Sequence, residues 1–155
     1  MTAIQKIKTG FTAGLVAAAL DISGAIIVFA YILKLSTPQK ILQSVAAGAL
    51  GKEAYLGGWQ IAIVGLLFHT FIATSFAFFY VLIYPAVKKI IKSPLISGIL
   101  YGCFVWCVMN LGVLMLILGK QVNPKYIFAN LSILIIMVGI PIALLTNKYF
   151  KQQQF

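Results

Sequence analysis

Residues 11–33, FTAGLVAAALDISGAIIVFAYIL, decide the fold. Apolar and small side chains fill this run from end to end, and Asp21 near its centre is its one charged group. Crossing a hydrocarbon core of about 30 Å takes roughly 20 helical residues, so the run is long enough to span a bilayer. Three more runs of the same kind follow, near 58–84, 95–118 and 126–147. With 62% hydrophobic and 9% charged residues, the composition lies far from that of soluble domains. The expected fold is therefore an all-α, integral membrane, antiparallel four-helix bundle, a single transmembrane domain over 1–155. The first run is too long for a signal-peptide core and lacks a clear small-residue cleavage site, so it reads as a retained span.

Orientation follows from the lysines, because cytoplasmic flanks collect positive charge. An even number of spans puts both termini on one side, with Lys6, Lys8, Lys88, Lys89, Lys92, Lys148 and Lys151. Lys34, Lys40, Lys52, Lys120 and Lys125 fall on the other side, so the count favours cytoplasmic termini. The net charge of +10 is spread over helix ends rather than gathered on one face, which points to anionic lipid headgroups as partners and away from nucleic acid. All 12 basic residues are lysines. Without arginine there is no bidentate fork for phosphate or carboxylate.

The segment between the first two spans, residues 36–58, is long enough to hold structure of its own. Ser36 or Thr37 can cap a short helix there, Pro38 suits its first turn, Gln39 completes a capping box with Ser36, and Gly51 ends it. Ile41, Leu42, Val45, Ala46, Ala49 and Leu50 then form its apolar face. A helix this short cannot cross the bilayer, so it is expected to be interfacial, or re-entrant as a cover over a cavity.

Helices in lipid approach one another over small residues. The first span carries Gly10, Gly14, Ala18, Asp21 and Ala25 on one such stripe, and Gly10 and Gly14 could equally serve a homo-oligomer. On the second span Gly58, Ala62, Gly65, His69 and Ala73 form another stripe, with the chain's only histidine in it. Counting inward along the two spans brings Asp21 and His69 to a similar depth. An ionised Asp at the bilayer centre costs on the order of 3 kcal/mol unless paired or hydrated, so a meeting of the two is expected. Burial favours the neutral forms of such a pair and mutual contact the ionised ones, which leaves its protonation state open. A static lock between helices, a proton- or solute-handling site and a ligand site all fit these residues. On the third span Gly98 and Gly102 make a small-residue pair, with Cys103, Trp106, Cys107 and Asn110 on one face above it. The fourth offers Asn130, Met137 and Pro141 on one side, and Pro141 is expected to kink or loosen it.

Other chemistries find little support. Cys103 and Cys107 are the only cysteines, without the second pair that a thiol oxidase relay uses, and read as packing residues. A copper or zinc site with His69 would need a helix register nothing specifies. One histidine makes haem improbable, and no Gly-x-Ser-x-Gly elbow accompanies Asp21, His69 and Ser75. Glu53 beside Lys52 reads as a solvated charge, and Tyr55, Trp59, Tyr84 and Tyr126 as interfacial anchors. No cofactor and no enzymatic activity are expected.

Ala13-Gly14-Leu15-Val16 leading to Asp21, the stretch Leu42–Gly51 (LQSVAAGALG), Gly65-Leu66-Leu67-Phe68-His69, and Tyr101-Gly102 followed by Val108-Met109-Asn110-Leu111 are shared in pattern with a group of four-span bacterial membrane proteins. Over nearly its whole length the chain resembles these YagU-like inner-membrane proteins. The resemblance implies a bacterial inner membrane and a link to acid or envelope stress. It also matches polar positions of the group to Asp21, His69 and Asn110, and brings no catalytic role with them. The expected protein is thus a small inner-membrane protein with a buried Asp21, His69 and Asn110 site for protons or a small solute. The alternatives are a scaffold subunit whose polar residues only lock the helices, and a cofactor- or lipid-binding membrane protein.

Overall fold

In the computed structural model, which describes residues 2–119, 121 and 123–152, every regular element is helical. Among those residues there is no strand. Lys120, one of the lysines that orient the chain by count, lies outside them. Helix α1 covers Ala3–Ile32, α2 Pro38–Leu50, α3 Gly58–Ile90, α4 Pro94–Leu116 and α5 Pro124–Lys151. By length and apolarity α1, α3, α4 and α5 are each able to cross a membrane, the make-up of a multi-pass membrane protein.

Local chemistry starts these helices. Thr2 and Gln5 form a reciprocal capping box at α1, so the helix begins at Ala3, well before the apolar run. Thr37 caps α2 by accepting from the Lys40 amide at 3.3 Å, Pro38 takes the first turn, and Gly51 at φ 80° ends the helix. The capping box expected between Ser36 and Gln39 does not form, because Thr37 and not Ser36 sits at the cap. Ser93 and Asn123 cap α4 and α5 in the same way, each followed by proline. Parts of three long helices widen into π-helical turns: Ile26–Ile32 in α1, Cys107–Ile117 over the end of α4 and one residue past it, and Leu134–Gly139 in α5. The last lies just ahead of Pro141, which has no N–H to return to the preceding turn, so the expected loosening takes this form.

Small residues set how closely the helices approach. Gly10 and Gly14 are buried, with Phe78 and Thr74 of α3 against them, so this stripe serves a contact within the chain. Gly98 and Gly102 of α4 meet Gly139, Ile140 and Ile135 of α5 backbone to backbone. The stripe on α3 changes partner along its length. Its first part, at Gly65, lies on the Leu42 carbonyl of α2, and its later part, around Thr74 and Phe78, lies on α1. His69 stands at the handover.

The buried face of α2 is rotated from the expected one. Leu42, Gln43, Ala46 and Ala47 are buried, while Leu50 is half exposed. Gln43 is drawn inside because its amide donates to the Gly58 carbonyl at 3.0 Å, tying α2 to the start of α3. A methyl group on Gly65 would meet only α2 backbone. Gly65→Ala is expected to lift α2 from α3 at a cost of about 1–3 kcal/mol. Hydrogen exchange would read this as faster exchange confined to α2 amides, and unchanged protection would contradict the contact.

The larger buried cluster lies toward the far end of α3, where Tyr80, Tyr84 and Tyr101 pack with Ala13, Ala17, Val105 and Ile142. Tyr84 is 3% exposed and its hydroxyl donates to Asn147 Oδ1 at 2.8 Å, so it is a core residue rather than an interfacial anchor. Helix α3 runs on to Ile90, past the end of the apolar run, which leaves Tyr84 inside the bundle. The Tyr80 and Ser97 hydroxyls are 2.9 Å apart, and Tyr101 donates to the Phe76 carbonyl at 2.6 Å. Tyr101→Phe keeps the ring and removes the donor. It is expected to cost about 1 kcal/mol, read as a lower thermal unfolding midpoint in detergent.

Candidate functional site

The handover on α3 leaves space that α1 and α2 do not fill, and the polar residues collect around it. His69 Nε2 lies 3.2 Å from the Ala18 carbonyl of α1 and 3.6 Å from Asp21 Oδ2. A carbonyl oxygen only accepts, so Nε2 carries the proton in this contact, and the imidazole's other nitrogen, Nδ1, is the one that gains or lacks a proton. Both side chains are 14% exposed, which makes this a sheltered pair with a route to the surface. The Asp21 carboxylate accepts no hydrogen bond from the described residues; His69 is its cationic partner when protonated. Such a pair differs from a saturated lock, in which every lone pair would have its donor.

Asn110 is buried at 7% exposure in the π-helical part of α4. Its Nδ2 donates to the Trp106 carbonyl at 3.2 Å, which leaves its side-chain oxygen without a partner among the described residues. A cavity of about 280 Å³ brings Asp21, His69 and Asn110 to one space. Asn130 of α5 lines it too, with an amide that makes no hydrogen bond among the described residues. The sequence reading has Asn130 on one side of its helix with Met137 and Pro141, and not among the site residues. Its signal is being an amide within the last apolar run.

A second cavity, about 440 Å³, shares Asp21, His69 and Asn130 with the first and runs under α2. Ser36, Lys40, Ser44 and Tyr55 give its mouth a polar lining. Helix α2 therefore forms one wall of the approach to the pair, as a cover would. Lys40 is the one cation on this wall, and no sequence pattern ties it to Asp21; only the fold of the 36–58 segment brings them to one cavity.

The face expected to carry Cys103, Trp106, Cys107 and Asn110 together is broken up. Cys103 is half-buried, Cys107 is exposed and Asn110 is buried, because π-helical winding begins at Cys107 and shifts the side chains that follow. Among the described residues no three His, Cys, Asp or Glu side chains come together as metal ligands. The indole Nε1 of Trp106 is buried without a hydrogen-bond partner among the described residues.

No protein-family model matches the chain, and neither the curated proteins nor the solved structures provide a match.

Proposed function

We propose that this protein is an antiparallel four-helix bundle of the bacterial inner membrane whose Asp21, His69 and Asn110 form a binding site for protons or a small solute. The antiparallel arrangement of α1 and α3 is supported by their contacts, which pair Gly10 with Phe78, Gly14 with Thr74 and Asp21 with His69 in reverse order. With both termini cytoplasmic, as the lysines favour, α2 and the mouth of the larger cavity face the outer side. The observation that carries the functional reading is the 3.6 Å approach of Asp21 to His69 beside a cavity with a polar mouth. A carboxyl and an imidazole in contact can pass a proton between them and so serve as one proton-handling site. Helix α2 covers this pair and Lys40 at the mouth repels cations, so an entering solute is neutral or anionic, or the proton travels through water.

A scaffold reading has its own support in the bond from His69 to the Ala18 carbonyl, which ties α3 to α1. Proteoliposomes separate the two. A pH gradient is expected to drive proton flux above that of empty liposomes. Folded protein with no flux and no pH-dependent uptake of small neutral or anionic solutes would leave the scaffold reading.

A further inference from the structure

An apolar groove adjoins the polar cavity. Ile72, Phe76 and Met109 line the 280 Å³ cavity of Asp21, His69 and Asn110, and the same three residues line an apolar groove of about 440 Å³ between α3 and α4. Phe71, Phe79, Phe104 and Val108 form much of that groove, and Phe71, Phe79 and Phe104 are exposed. The Phe79 and Phe104 rings stack across the two helices at one end of this groove, with centroids 5.9 Å apart. Ile72, Phe76 and Met109 therefore stand between the two spaces, with the polar cavity on one side and the apolar groove on the other.

We infer that these two adjoining spaces together bind a single-chain neutral amphiphile with a hydroxyl-bearing head, the head among Asp21, His69, Asn110 and Asn130 and the chain along the α3–α4 groove, with Ile72, Phe76 and Met109 turning aside to admit it. The inference rests on reading the Asp21–His69 cavity as a working site, and names a ligand class for it. The choice of head follows from the groups that face it. Asp21 offers an acceptor that the described residues leave without a donor, and the amides of Asn110 and Asn130 offer both donors and acceptors. A hydroxyl gives one proton and accepts another, so it matches both kinds of partner. An anionic head meets the Asp21 carboxylate, and a cationic head meets His69 and the lysine at the α2 mouth. The size suits a glycerol or a ring rather than a bare hydroxyl: the groove, at about 440 Å³, lies within the range of about 300–1,000 Å³ for small-molecule sites, and the cavity, at about 280 Å³, lies just below it. The chain finds its place because Phe71, Phe104 and Val108 offer no polar competitor.

The test is photolabelling in bilayers with a monoacylglycerol carrying a diazirine on its acyl chain, mapped by peptide mass spectrometry. A diazirine phosphatidylcholine, whose charged head is too large for the cavity, reports ordinary lipid contact. Monoacylglycerol is expected to label the Phe104–Val113 side of the groove about ten-fold more than the exposed Ile136 and Leu144 of α5, a preference matching loss or gain of one hydrogen bond to a charged group. Ser75→Trp, at an exposed position lining the groove, is expected to remove that preference, and Val108→Phe does the same from α4 if the first variant is poorly folded. Identical maps from the two probes, or labelling indifferent to both substitutions, would overturn the inference. Proton flux from the same preparations separates the two claims: flux with unselective labelling discards the amphiphile and keeps the protonatable site. Selective labelling without flux supports the amphiphile as the ligand of this cavity and removes the proton reading.

Discussion

Asp21→Asn is expected to reduce proton flux at least ten-fold, to the level of empty liposomes, while the helices stay assembled. The amide has nearly the shape of the carboxyl, so the contacts of Gly10 and Gly14 with α3 and the bond from His69 to the Ala18 carbonyl have no reason to move. What is lost is the group that exchanges a proton with His69. Stability is expected to stay level or rise, because a buried charge that lacks hydrogen-bond donors contributes little net stabilisation and its neutral isostere avoids the desolvation cost. A structural lock predicts the opposite pattern, with a lowered unfolding midpoint and no change in flux. Comparing flux and detergent unfolding midpoint on one preparation thus reads both alternatives at once. Retained flux in folded Asp21→Asn would remove the carboxyl from the mechanism.

Gly139→Leu is expected to prevent assembly of the bundle. Even a first carbon on Gly139 would collide with the Gly98 carbonyl and stand 2.5 Å from the Gly102 amide nitrogen and 2.7 Å from its Cα. All three neighbours are backbone, so no rotamer change relieves the clash, and α4 must separate from α5 along the contact. Overpacking in a close-packed interior costs about 1–3 kcal/mol even for small additions, and a leucine here adds far more than one methyl group. The expected reading is loss of the monodisperse peak in size-exclusion chromatography. Gly112→Ala is the control, because a Cβ there meets no atom within 4 Å, and it is expected to change stability by less than about 0.5 kcal/mol. Equal behaviour of the two variants would contradict the α4–α5 contact.

Much of this architecture was legible because hydropathy alone marks helices of membrane-spanning length, and Pro38 and Gly51 bracket α2. The buried face of α2 was not, since Gln43 turns inward for a carbonyl fifteen residues away, and periodicity cannot see that partner. Tyr84 misled for a related reason. Its depth was judged from the end of the apolar run, whereas α3 continues to Ile90 and carries it inside the core. Around the site, counting along two helices brings Asp21 and His69 to one level, and the structure has them 3.6 Å apart. Asn130 and Lys40 escaped because their proximity depends on register between helices. Three π-helical stretches alter that register, and nothing in a pattern of apolar residues announces where a helix widens.

The central claim is that Asp21 and His69 form one working site. The chain has a single histidine, so its imidazole nitrogens can be followed by ¹⁵N NMR in bilayers without assignment. With Asp21 Oδ2 3.6 Å from Nε2, the imidazole resonances of folded Asp21→Asn are expected to differ from those of the wild type. Identical resonances in the two proteins would contradict the claim.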